Sequence, residues 1–389
     1  KESIGTYSST HKLPDPRQPG VVPEMLGPFD LVGENWYSSE DLPVAILWGF
    51  APWKRPHIQH YFPQHKLLFV RGARLYLNLE KFIQYIPKNK SICFVGWGLK
   101  LPSYAVRYAK KRSIPVHYVE DGFLRSFHPG ALHVKPWSLA IDSQAPYYAT
   151  RAKTDLQDLL QRRQLEGVEA EKRQAGEAGI ALMRAACLTK YFSLRIGNED
   201  WTPPPTQGRK IILVIGQVED DAAILQGYSR GFVNRRFSNL RVVQKAIEDH
   251  KDACILYRPH PDTYYNGRKS RHEKKIARLC TVIEPTAPLQ DVFPHVSHIY
   301  AGTSLAAFEA ALWGVPVTTL GLPFYAGSPE IRHLQGPKLG FSRLSLPELF
   351  SVIYLDYPRY IHPVSDEETS FFDLASYFIV EKFKHLVLE

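Results

Sequence analysis

Two series of short apolar runs, alternating with helical stretches and parted by a proline block, predict an α/β fold of two doubly wound, Rossmann-like domains. The first series is Val44 to Phe50, Lys66 to Val70, Ser91 to Val95 and Val116 to Val119. The second is Ile211 to Ile215, Cys254 to Tyr257, His298 to Tyr300 and Val315 to Leu320. Apolar runs of this length fit strands buried on both faces of a parallel sheet. Their alternation with helices is the pattern of βαβ units. The block Thr202-Pro203-Pro204-Pro205-Thr206-Gln207-Gly208 cannot lie inside a helix or strand, because proline lacks the amide hydrogen and clashes with the preceding turn. It places the predicted domains at 1–201 and 206–372, with 373–389 as a C-terminal helix packing back.

Residues 1–40, rich in Pro, Ser and Gly, read as irregular. In the first domain Leu101 to Lys111 reads as a helix, with Tyr104/Tyr108 and Ala105/Ala109 at helical spacing. Thr154 to about Arg195 reads as mostly helical, with acids and bases interleaved. In the second domain the helices are Asn239 to Asp249 and Leu305 to Trp313, and Asp373 to Leu388 is amphipathic. In open α/β sheets ligands gather at the carboxyl ends of the strands, which here means a cleft between the domains.

The composition limits the function classes. The chain has 389 residues, 44% hydrophobic, 12% aromatic and 22% charged, which is globular and not disordered. That is length for two cores, since single cores stop growing near ~250–300 residues. No apolar run approaches the roughly 18 residues of a membrane span. No signal peptide is visible, in a chain that begins at Lys1, and the expected location is cytoplasmic. The four cysteines, Cys93, Cys187, Cys254 and Cys280, are far apart and lack metal-ligand spacing. They are expected to be buried free thiols, as suits a reducing compartment. The net charge of +9 is spread along the chain, favours an anionic partner and carries no nucleic-acid-binding motif.

The polar residues cluster after the strand ends. Glu120-Asp121-Gly122-Phe123-Leu124-Arg125-Ser126 sets two carboxylates at one strand end. Glu120 is a candidate general base, since partial desolvation raises a carboxylate's pKa toward neutrality. Arg125 is a candidate for gripping a sugar carboxylate. Read alone, the block is more readily an acidic turn with Asp121 as a cap. Gly216-Gln217-Val218-Glu219-Asp220-Asp221 offers a carboxylate to an anomeric carbon, or an acidic helix start. Tyr257-Arg258-Pro259-His260-Pro261-Asp262 holds His260 between prolines, where it is placed to donate to a phosphate beside Arg258. Ala301-Gly302-Thr303-Ser304 opens a helix, whose amide groups and hydroxyls favour an anion, and Glu309 further along is placed to reach a ribose. Neither GxxxxGK[ST] nor GxGxxG occurs, which disfavours a P-loop or NAD-binding enzyme. Carboxylates paired with a phosphate site point to sugar transfer from an anionic nucleotide-sugar donor.

Several stretches, in order, resemble the capsule-polysaccharide Kdo transferases of the KpsC (LipA) type, Kdo being 3-deoxy-manno-octulosonic acid. They are Trp48-Gly49-Phe50 with Trp53-Lys54-Arg55-Pro56, Gly96-Trp97-Gly98, and the block from Glu120 to Ser126. Pro136-Trp137-Ser138-Leu139, Tyr147-Tyr148-Ala149-Thr150-Arg151, Gly216 to Asp221, Pro259-His260-Pro261-Asp262, and Gly302-Thr303-Ser304 running to Gly327 complete the set. The resemblance implies a GT-B fold with a C-terminal crossing helix, and retaining transfer of β-Kdo from CMP-β-Kdo. It implies Asp221 as nucleophile, with Asp220 as the fallback, and Glu120 as acid/base. His260 and the Thr303-Ser304 pair match its CMP-binding residues, Gln217, Arg258 and Glu309 join them as donor-binding candidates, and neither a metal nor a cofactor is expected. The acceptor implied is a Kdo-bearing or other glycan or glycolipid. Because capsule acceptors are built on a phospholipid, the implied setting is peripheral to the inner membrane, beside capsule-assembly proteins. No clear amphipathic anchor is seen, and the basic stretch Lys269 to Lys275 reads as a solvated helix face. The family carries two such modules in tandem, whereas one is found here. Ser328-Pro329-Glu330 after Gly327 and Ala223 after Asp221-Ala222 depart from the usual pattern, which bears on fine specificity. The alternatives are an inverting, sialyltransferase-like enzyme using another CMP-ketose, and a non-catalytic glycan- or lipid-binding module.

Overall fold

A computed structural model describes residues 29–32, 42–70, 79, 83, 91–127, 133–150, 152–191, 201–228, 236–265, 271–335 and 343–388. The chain divides into two compact units, Lys1–Val119 and Glu120–Glu389. The expected limits at 1–201 and 206–372 differ from this division, and the proline block lies inside the second unit. The reason is that residues 120–190 pack with the C-terminal elements, as described below.

The first unit is built on parallel strands β2 (Val44–Trp48), β3 (Lys66–Val70), β4 (Ile92–Trp97) and β5 (Val116–Asp121), in the order β3-β2-β4-β5. Strand β1 (Phe29–Val32) joins β3 antiparallel. It falls in the stretch expected to be irregular, and the rest of 1–40 lies outside the described residues. Helix α1 (Ser103–Arg112) buries Ala105 and Ala109 in one core cluster with Phe94, Ile46 and Leu68. Small residues at i and i+4 let the helix approach the sheet closely. Ser113 ends it in a left-handed conformation, with φ of 53°.

The second unit begins with the last two residues of β5. It contains a six-stranded sheet, order β12-β11-β10-β7-β8-β9, with every neighbouring pair parallel. These strands are β7 (Ile211–Ile215), β8 (Cys254–Arg258), β9 (Thr281–Val282), β10 (His298–Ala301), β11 (Val317–Thr319) and β12 (Ile331–His333). The sequence anticipates β7 in full and β8, β10 and β11 to within a few residues. Strand β6 (Ser138–Asp142) was not anticipated, and it pairs antiparallel with β13 (Arg359–Ile361), which pairs with β14 (Glu368–Thr369). The stretch read as one long helix is two, α2 (Asp155–Glu166) and α3 (Ala170–Ala185), parted at Gly167, whose φ is 83°. Residues beyond 191 in that stretch, and the start of the basic stretch at Lys269, lie outside the described residues.

The C-terminal region returns to these earlier elements. Phe350 meets Gly179 and the Pro347 carbonyl meets Gly176, both glycines on the buried side of α3. The C-terminal helix Phe371–Leu388 carries a buried Lys382, which donates to the carbonyls of Ala186 (2.7 Å) and Cys187 (3.3 Å). The Asp142 carboxylate, at the end of β6, accepts from the amides of Gln144, Ala145, Asp155 and Leu156, and from the Tyr357 hydroxyl at 2.8 Å. Phe123, wholly buried, stacks on Phe324 and contacts Tyr147, Tyr354 and Tyr357. The cysteines are free thiols, with Cys93 and Cys254 buried and Cys187 and Cys280 only half-buried. Burial pushes the Cys93 thiol up to about 12. Among the described residues no helix is long and apolar enough to cross a membrane.

Replacing Gly176 by alanine tests the close packing of α3. Helix propensity alone favours alanine by about 1 kcal/mol. An added Cβ, however, runs into the Pro347 carbonyl oxygen. Net destabilisation of about 1–3 kcal/mol is expected in denaturant unfolding, and a more stable variant would show that this contact is loose.

Candidate active site

The site lies within the second unit and starts at the end of β5. Successive strand residues point to opposite faces, so the two acids diverge. Asp121 forms an ion pair with Arg125 at 2.9 Å. Glu120, half-buried, accepts a hydrogen bond from the Tyr148 hydroxyl at 2.8 Å. Burial first, and then the Glu120 carboxylate, hold the Tyr148 phenol far above its usual range, so it remains a donor. Asp221 also acts electrostatically on Tyr148. One phenol thus lies in the field of a carboxylate from the end of β5 and a carboxylate from the loop after β7.

That loop sorts its three acids by environment. Glu219 is buried, accepting from the Asn239 amide (2.8 Å) and from Arg271 Nε (2.7 Å). It anchors the loop to the start of the helix Asn239–Asp249. Asp220 and Asp221 are exposed. Asp221 occupies the N-cap position of the helix Ala222–Gly227, yet its carboxylate makes no cap hydrogen bond. The capping role is therefore carried by backbone geometry alone, and the Asp221 side chain is not held by it.

The remaining candidates fall into connected pairs. Gln217 Oε1 accepts from the Thr303 amide at 2.7 Å, and its amide nitrogen donates to the Thr303 hydroxyl at 3.3 Å. Gln217 thereby joins the loop after β7 to the loop after β10. Ser304 caps the helix Leu305–Leu312, its hydroxyl accepting from the Ala306 amide, and Tyr325 donates to its carbonyl at 2.5 Å. Arg258 ends β8, is buried, and donates to the Ala287 carbonyl at 3.0 Å. His260 Nδ1 accepts from the Asp262 amide at 3.1 Å. A neutral ring accepting at Nδ1 carries its proton on Nε2.

Two expectations need correction. Arg125 is wholly buried, donating to Ser126 Oγ (2.7 Å) and the Val134 carbonyl (3.1 Å) beside its pair with Asp121. In this conformation it organises the loop and presents no fork to a sugar carboxylate. Glu309, expected to reach a ribose, is 4% exposed and accepts from the Lys190 amide at 2.6 Å. Its role in this conformation is to hold backbone.

Sequence reasoning missed Tyr148, Lys190, Asn239 and Asp142 as organising residues. Tyr148 lay in a block that carried the resemblance without receiving a role. Asn239 was read only as a helix start. It accepts from the Gln217 amide and donates to the Gln217 carbonyl, at 2.9 and 2.8 Å.

Burial raises the Glu309 pKa from 4.5 to about 7. The folded state then holds its proton more tightly than the unfolded chain, so stability falls as pH rises between these two values. Glu309→Gln keeps an acceptor for Lys190 and abolishes the titration. Relative to the variant, the wild type is expected to lose about 3 kcal/mol from pH 4.5 to pH 7 in urea unfolding. Parallel curves for the two proteins would contradict the shift.

The family described as "Capsule polysaccharide biosynthesis protein" matches residues 92–199 and 199–360. The lipopolysaccharide-processing protein LpsZ of Rhizobium meliloti is 34% identical over 338 residues, covering 85% of this chain and 73% of LpsZ. The capsule polysaccharide modification protein LipA of Neisseria meningitidis serogroup B is 29% identical over 319 residues. That match covers 81% of this chain and 42% of LipA, so the chain spans less than half of that relative. Among solved structures, the β-Kdo 2,4 transferase of Thermosulfurimonas dismutans KpsC superposes with a TM-score of 0.67 at 26% identity, covering 87% of this chain and 98% of that one. The β-Kdo 2,7 transferase of the same KpsC gives 0.66 and 26%, covering 87% and 99%.

Proposed function

The chain belongs to the capsule polysaccharide biosynthesis family, and from that premise we propose that it moves Kdo from CMP-β-Kdo to a hydroxyl of a glycan or glycolipid acceptor, retaining the β configuration. The observation that carries this reading is the Tyr148–Glu120 hydrogen bond at 2.8 Å, made by a phenol that also lies in the field of Asp221. Both Kdo transferases of KpsC, at 26% identity, lend it support. A GT-B arrangement of two Rossmann-like domains belongs to the same proposal, as does a peripheral place at a membrane beside capsule-assembly proteins.

The chemistry follows from the two carboxylates. The Asp221 carboxylate attacks the anomeric carbon, the bond to the phosphate oxygen breaks, and CMP leaves. A phosphate monoester is a good leaving group and needs no proton. Glu120 then takes the proton of the acceptor hydroxyl as its oxygen attacks the glycosyl-enzyme, and the Asp221 ester bond breaks. Two inversions at one carbon give retention. Asp220, equally exposed, is the fallback nucleophile. Asp221 is preferred because it lies in the field of Tyr148 and its side chain does not cap the helix.

The donor's phosphate is assigned to His260 Nε2 and to the Thr303-Ser304 helix start, with Gln217 bracing Thr303 and Arg258 adding positive charge nearby. The scheme invokes no metal, because these donors and the cation meet the phosphate charge.

Intact-protein mass spectrometry with CMP-Kdo and no acceptor tests the reading. The wild type is expected to gain one Kdo residue, about 220 Da, mapping to Asp221, and Asp221→Ala to gain none. Glu120→Gln should still form the adduct, while transfer to acceptor falls by about 10²–10⁴. Transfer without an adduct in any protein would favour the inverting alternative, with Glu120 alone as base. A donor neither bound nor consumed would favour a binding module.

A further inference from the structure

The correction at Arg125 leaves an anionic sugar without a cation, and the structure offers one at Lys190. Its backbone is fixed from two sides. The amide donates to buried Glu309 at 2.6 Å, and the carbonyl accepts from the amides of Arg125 (3.1 Å) and Ser126 (3.3 Å). The neighbouring Thr189 is buried, and its hydroxyl donates to the Tyr191 carbonyl at 2.9 Å. A long, flexible side chain therefore leaves from a rigid point, beside the loop that follows β5.

The ammonium itself is half-buried and lies over the Tyr191 ring, 5.5 Å from its centroid. Among the described residues it has no ion-pair or hydrogen-bond partner. Asp121 acts on it electrostatically but is already paired with Arg125. Burial works against its charge. The oxygens of Tyr191, Tyr147 and Asp121 outweigh that effect and raise its pKa, so it stays protonated. The Tyr147 hydroxyl lies in the field of both Lys190 and Glu120.

We propose that the Lys190 ammonium receives the carboxylate of the transferred sugar. This rests on the Kdo-transfer reading and names its donor class: CMP-activated ulosonic acids, in which the carboxylate is bonded directly to the anomeric carbon. Such a carboxylate travels with the reacting centre, so its cation belongs beside Glu120 and not among the phosphate donors. A donor whose anomeric carbon bears hydrogen in place of the carboxylate leaves Lys190 without a partner and is rejected.

The test compares wild type, Lys190→Met and Lys190→Arg, reading kcat/KM for CMP-Kdo and the inhibition constant of CMP. Both variants keep the backbone bonds at position 190, and thermal melting reports their folding. Lys190→Met is expected to lower kcat/KM by about 10- to 100-fold, as for a lost hydrogen bond to a charged group. CMP inhibition should stay within about twofold, because CMP lacks the carboxylate. Lys190→Arg should recover part of the loss. An unchanged kcat/KM in Lys190→Met, or equal losses for CMP-Kdo and CMP, would overturn the assignment. A wild type that leaves CMP-Kdo unconsumed would instead remove the transfer reading, and the assignment with it.

Discussion

The Asp142 carboxylate is the constraint on which the geometry of the second unit depends. It gathers four backbone amides, from Gln144, Ala145, Asp155 and Leu156, and the hydroxyl of Tyr357. A buried carboxylate is tolerable only when its oxygens are satisfied, and amide donors satisfy them strongly. The donors span the segment from the end of β6 to the start of α2, so the loop between them is closed on itself. Tyr148 sits in that loop, and Thr150 ties it to the Leu322 carbonyl at 3.0 Å. The position of the phenol that meets Glu120 is thus a consequence of Asp142. The bond to Tyr357 makes the C-terminal return part of the same device.

Charge is sorted with similar economy. Asp121 and Arg125 engage each other, and Glu219 engages Arg271 and the Asn239 amide. These pairs hold the two loops rigid. Among the described residues Asp220, Asp221 and Lys190 have none of these ties, and Glu120 accepts from the neutral Tyr148 phenol. Adjacent residues of one motif therefore divide into those that build the loop and those whose charges stay outside these pairs. In the proposed reaction that division pre-organises the site, since the fixed charges need not rearrange.

Much of the fold was legible because buried parallel strands leave continuous apolar runs. Lys66–Val70 and Ile211–Ile215 and the helix Asn239–Asp249 follow directly from them. Strands β6 and β13 were not legible, because five and three residues of mixed polarity gain their identity only from pairing across a long sequence separation. The same limit applies to the site. Glu120 and Asp221 were visible as carboxylates near strand ends, whereas Tyr148, which donates to Glu120 and lies in the field of Asp221, required the fold. Arg125 misled because residue type suggested recognition, while its burial was decided by Asp121 four residues before it. Lys190 gave no signal at all, its significance arising from clamps at residues 125, 126 and 309.

The central claim is that two carboxylates act in succession at one carbon. It is tested most directly by the anomeric configuration of the product formed from CMP-β-Kdo, read by NMR before the sugar can equilibrate. The account predicts a β-linked Kdo, the outcome of two inversions. An α-linked product would mean a single displacement, with Asp221 not acting as a nucleophile.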